Sequence, residues 1–180
     1  MANHYYLIAS LPTLEPNGKA PISYEEFLKL CENTVSPSFF KLLSKVTVDT
    51  STMDEEIAQI SIIKKWVEFQ GVLNRTLCNR RLEKQGKSPM FSREYHVEAE
   101  ALVSKVMEGK NPLEMENLLI AGQYEYVDSL CAMHYFDDYV LMAYALKLKL
   151  LLRKNIFVQE EGKAEFNRLF DYIQNRINSI

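Results

Sequence analysis

Three side chains near the chain's last third have the types and spacing for metal chemistry. His134, Asp137 and Asp138 read H-x-x-D-D. On a helix, residues three or four apart share a face, and an imidazole beside a carboxylate there can ligate a cation. Carboxylate-bridged bundle sites, however, use two Glu-x-x-His motifs and further glutamates. No Glu-x-x-His occurs in this sequence. The two aspartates also stand where a helix is expected to begin, and capping accounts for them without metal. The set is the one candidate for a metal-dependent helical-bundle enzyme.

Other chemistry fares less well. His96 lies among Glu94, Glu98 and Glu100, which fits an exposed acidic helix start and lacks a second convergent group for acid–base work. Gly86-Lys87-Ser88 is the tail of a phosphate loop whose first glycine would fall at Arg81. No G-x-S-x-G nucleophile turn is present. Cys31, Cys78 and Cys131 contain no C-x-x-C pair, so they read as reduced thiols packed as small hydrophobes. The chain is therefore expected to be non-enzymatic and to carry no cofactor.

The elements that would position these residues are helical. Residues 4–9 are apolar and aromatic, short enough for a strand or one helical turn, and Pro12, Pro16, Gly18 and Pro21 follow as an irregular loop. Ser23 and Glu26 form a capping box that opens a helix to about Asn33. Ser36-Pro37 opens the next. Thr52 and Glu55 suggest another box at the head of the longest periodic stretch, residues 54–85, with Gly71 as a possible kink. Further helices are expected from Tyr95 to Gly109, from Pro112 to about Ala121 with an interruption at Gly122, and over 124–132. Residues 139–154 are apolar nearly all round and should form the buried centre. A last helix near 162–178 carries Phe166, Leu169, Phe170, Ile173 and Ile177 at heptad-like spacing.

Composition fits this picture. The 180 residues are 47% hydrophobic and 25% charged, as in globular proteins with a real core. The net charge of −3 argues against nucleic acid as a partner. No segment has the ~20 apolar residues of a membrane span, and residues 1–10 lack the basic start of a signal peptide. A cytoplasmic location is expected. Charge is uneven: residues 91–140 hold ten acids against three bases, whereas 51–90 and 141–180 are net basic. Such polarity suits docking onto a charged partner.

Two blocks carry a family resemblance. Tyr5-Tyr6-Leu7-Ile8-Ala9-Ser10-Leu11-Pro12 resembles the opening of a family of uncharacterised bacterial proteins, and residues 134–153, starting His134-Tyr135-Phe136-Asp137-Asp138, resemble its other characteristic block. Ile22 to Leu28 also fits. Members of that family are typically encoded among V-type ATPase subunits, in gene sets that often lack a clear C subunit, the helical adaptor between rotating shaft and membrane ring. The resemblance implies a non-catalytic rotary-ATPase component, such as a shortened C subunit or another accessory subunit. Its partners would be the shaft and membrane-ring subunits, and it would touch the membrane only through that complex. A usual C subunit is roughly twice as long and built of related subdomains, and no repeat is visible here.

The expected fold is thus all-α: a multi-helix bundle of about seven or eight helices, residues 1–180 forming a single helical domain. The expected N-terminus is short and irregular or strand-like. The long amphipathic helix 54–85 could bridge two lobes. Candidate partner contacts are Trp66, Arg75, Arg80 and Arg81 on that helix, with the acidic cluster Glu94, Glu98 and Glu100. Trp66 has two readings, the edge of a core stripe or an exposed anchor. A free helical scaffold or regulator is the third class of function, and self-association is left open.

Overall fold

A computed structural model describes residues 4–92, 94, 96–156 and 159–177. Among these the fold is all-α, with nine α-helices, one 3-10 turn and no strand. The helices are α1 (Tyr5–Ser10), α2 (Tyr24–Glu32), α3 (Pro37–Ser44), α4 (Glu55–Ala58), α5 (Ser61–Lys84), α6 (Val97–Met107), α7 (Pro112–Leu130), α8 (Asp138–Ile156) and α9 (Gln159–Ile177). Tyr95, where α6 was expected to start, lies outside the described residues.

Local chemistry sets most of the boundaries. Ser23 accepts from the Glu26 backbone while Glu26 accepts from the Ser23 backbone, so both arms of the capping box form at α2. Ser36 caps α3 ahead of Pro37, and Asn111 caps α7 ahead of Pro112. Helix α5 ends on Gly86, whose φ of 73° is the left-handed value that favours glycine. There the Lys87 N–H donates to the Leu82 carbonyl and the Gly86 N–H to Glu83. The fragment that looks like half a phosphate loop is therefore a Schellman helix end.

Three expectations need correction. Residues 5–10 are helical rather than strand-like. The periodic stretch 54–85 is two helices, because Gln59 ends α4 and Ile60 is extended before α5 begins. Asp54, not Thr52, caps α4, and Lys45 at the end of α3 bonds both Asp54 and Glu56 at 2.8 Å. That tertiary tie links the end of α3 to the first turn of α4. Finally, neither Gly71 nor Gly122 breaks its helix. At Gly122 an added Cβ would lie 2.2 Å from Leu102 Cδ1, so the missing side chain lets α6 and α7 approach closely.

Helix α8 is the centre, as its all-round apolarity leads one to expect. Leu141, Met142, Ala143, Ala145, Leu146, Leu148, Leu150 and Leu151 are all buried. Helices α2, α3, α5 and α7 pack on it, α6 lies across α5 and α7, and α4 rests on α5. Burying each large aliphatic side chain contributes roughly 1.5–3 kcal/mol. Helix α9 is different: no element among the described residues packs broadly against it.

Candidate functional site

The chain's beginning folds onto the α7–α8 connection. The His4 N–H donates to the Phe136 carbonyl at 2.7 Å, and the His4 ring Nε2 meets Asp138 Oδ1 at 2.6 Å. His4 is 6% exposed and stacks on Phe39 of α3. The loop after α1 is tied down by hydroxyls from the bundle. Tyr124 donates to the Leu14 carbonyl, Tyr144 to Pro12, and the Lys154 ammonium to Pro16. Proline-rich backbone cannot pair with itself in a ladder, so these side chains satisfy its carbonyls. Burial pushes the Tyr124 and Tyr144 phenols up to about 12, so both remain donors at neutral pH.

The H-x-x-D-D set is divided by this arrangement. Asp137 is the cap of α8: its Oδ1 accepts from the Val140 N–H, and its Oδ2 meets His134 Nδ1. Burial raises the Asp137 carboxyl, but the His134 and Val140 hydrogen bonds outweigh it and hold the group below the ordinary aspartate value. The His134 ring stacks on Tyr139 at 4.0 Å. Asp138 serves His4 instead. The set is thus split between two pairs, His134–Asp137 and His4–Asp138, and among the described residues no group of three or more His, Cys, Asp or Glu side chains is placed to hold a metal ion. Burial also pushes the Cys31 and Cys131 thiols up to about 11, away from the thiolate a nucleophile needs.

Outside these polar pairs the junction presents aromatic surface. Tyr5 meets Phe136 edge-on at 4.8 Å and Tyr6 at 5.4 Å. Tyr6, Tyr135 and Met133 are largely exposed, Tyr6 at 86%. Tyrosine-rich patches of this kind are enriched at protein interfaces. Beside the patch, Ile8, Leu11, Tyr124, Asp128 and Lys147 line a cleft of about 430 Å3. Its one ammonium, from Lys147, is held by Asp128 at 2.8 Å.

The candidate contacts on the long helix fall out differently. Trp66 is completely buried, which fits the core reading and withdraws it as an exposed anchor. Arg75 bonds Glu94 at 2.6 Å, and Arg80 reaches both Glu83 and Glu100. Arg75 and Arg80 are therefore paired with Glu94 and Glu100 across the α5–α6 junction. Between them Asn79 is buried and clasps the connecting strand of chain, accepting from Met90 and Phe91 and donating to the Phe91 carbonyl. Glu98 lies beside His96, and Arg81 is exposed.

No helix among the described residues is long and apolar enough to cross a membrane. The aromatic junction is not visible from sequence because its members lie more than 120 positions apart. No known family, curated protein or solved structure matches this chain.

Proposed function

We propose that this chain is a non-catalytic helical adaptor of a V-type rotary ATPase, docking through the aromatic junction of α1 with the α7–α8 connection. One observation carries the reading. Residues 5–12 and 134–153, the two blocks that resemble the ATPase-associated family, lie against each other. Together they turn Tyr5, Tyr6, Tyr135 and Phe136 outward. Exposed aromatics contribute little to a folded monomer but much to a protein interface, where they bury large area at small entropic cost. The role would be mechanical: a rigid body held between the shaft and the membrane ring. The central α8 suits that role, being braced by four other helices.

The test is a tagged pull-down from native membranes, with co-purifying proteins identified by mass spectrometry. Recovery of the ATPase head, shaft and ring subunits is expected. Recovery of the chain alone, from membranes in which the motor is intact, overturns the proposal.

A further inference from the structure

We infer that the tip built by the end of α5 and residues 85–91 docks onto an anionic lipid surface. Two apolar side chains there are turned to solvent although the chain beneath them is held. The buried Asn79 accepts from the Met90 and Phe91 N–H groups and donates to the Phe91 carbonyl. The Lys87 N–H donates back to the Leu82 carbonyl across the turn that Gly86 makes. With its backbone fixed at both ends, this loop still leaves Met90 72% and Phe91 39% exposed. Arg81 and Lys84 in the last turn of α5, and Lys87 just after it, are exposed as well, and no carboxylate among the described residues pairs with any of the three. The acids closest in sequence meet other bases: Glu94 pairs with Arg75, and Glu83 and Glu100 with Arg80. Cations in a last turn suit the helix dipole, which accounts for Arg81 and Lys84. It accounts neither for Lys87, beyond the helix, nor for the exposed Met90 and Phe91.

Size and charge point to lipid. Met90 and the open part of Phe91 offer on the order of 200 Å2 of apolar surface. A stable protein interface needs about 800 Å2 from each partner. A lipid surface needs no matching shape: a few apolar side chains enter the headgroup layer while neighbouring cations meet its phosphates. Residues 80–91 carry four bases against one acid. Residues 91–140 carry ten acids against three bases, so an anionic surface draws in the tip and repels the α6–α7 side. The contact is peripheral, as no helix among the described residues is long and apolar enough to cross a membrane. It goes beyond the adaptor role, in which the chain reaches the membrane only through its complex.

The experiment is co-sedimentation of the purified full chain with vesicles of phosphatidylcholine and phosphatidylglycerol in equal parts, and with vesicles of phosphatidylcholine alone. Weak binding to the anionic vesicles, falling as salt is raised, is expected. Lys84→Gln combined with Lys87→Gln should weaken it about 25-fold, at about fivefold per charge. Met90→Ser should weaken it about tenfold. The substituted side chains are exposed, and fluorescence of the buried Trp66 verifies that every variant is folded. A chain that does not bind the anionic vesicles overturns the inference. So does equal binding to both kinds of vesicle. Binding that both tip variants leave unchanged also overturns it, and puts the contact elsewhere, on a face such as the apolar stripe of α9. A tip that ignores vesicles but retains polyglutamate overturns it in favour of an acidic protein partner. The measurement uses no ATPase component, so it fails or succeeds independently of the adaptor proposal.

Discussion

His4 and Asp138 are 134 positions apart in sequence, yet their side chains meet at 2.6 Å and close the bundle on itself. His4 is buried and its partner is half-exposed. Replacing Asp138→Ala strands a buried ring nitrogen, which costs about 1–3 kcal/mol. His4→Ala loses the same bond together with packing on Phe39. The two changes should therefore be non-additive in a double-mutant cycle, with a coupling near 1 kcal/mol in urea unfolding followed by Trp66 fluorescence. Independent, additive effects would mean that the pair does not join His4 to the start of α8.

Gly122 and Gly71 should respond oppositely to alanine. Each gains up to about 1 kcal/mol from better helix propensity. At Gly71 the nearest obstacle is the end of the Arg75 side chain, at 3.2 Å, which can move. Gly71→Ala should raise the unfolding midpoint. At Gly122 the new carbon would fall 2.2 Å from Leu102 Cδ1, between two packed helices. Overpacking there costs about 1–3 kcal/mol, and Gly122→Ala should lower the midpoint. Adding Leu102→Ala should relieve part of that loss. A stabilised Gly122→Ala protein would contradict the close α6–α7 approach.

Acid should loosen the two carboxylate clusters. The Lys45 hydrogen bonds, with backbone help at Asp54 and the Lys41 charge at Glu56, hold both carboxyls below their ordinary values. Asp137 is held down by His134 and the Val140 N–H against the opposing effect of burial. In each case the folded-state value is below the unfolded one. The stabilisation is complete above the unfolded values and is lost as pH falls through the folded ones, in the region below about pH 4. Unfolding midpoints measured against pH should fall there. Lys45→Met should make the fall shallower; an unchanged slope would show that the Lys45 ties contribute nothing.

What was legible in the sequence is local chemistry. Ser23 with Glu26, and Ser36 with Pro37, announce helix starts because the cap is made within four residues. The all-round apolarity of residues 139–154 announces a buried helix because only a centre has neighbours on every side. What was hidden depends on distant partners. The head of α4 is tied by Lys45, which bonds Asp54 and Glu56 from the end of α3. Gly122 lets α6 and α7 approach because Leu102 occupies the space a side chain would take. Arg75 and Arg80 look like docking charges until Glu94 and Glu100 are brought to them by the turn that Gly86 and Asn79 set. The aromatic junction belongs to the same class, since His4 and the proline-rich loop reach α8 only in the folded chain.

The docking role proposed for that junction can be tested apart from folding. Tyr6 and Tyr135 are exposed and no hydrogen bond to another element engages their hydroxyls among the described contacts. Exposed substitutions away from caps and cores usually change stability by no more than about 0.5 kcal/mol. Tyr6→Ser combined with Tyr135→Ser should leave the urea midpoint and the Trp66 signal where they are. An interface anchored on aromatics, by contrast, loses about 2 kcal/mol or more per anchor when they are truncated. Under the proposed adaptor role, the double variant should therefore fail to recover the ATPase subunits in the membrane pull-down while remaining folded. Asp138→Ala makes the complementary test, because it loosens the scaffold beneath the patch without touching its surface. It should weaken recovery of the complex partially and in step with its loss of stability. If the double tyrosine variant still recovers the motor subunits in full, the docking surface lies elsewhere on the bundle.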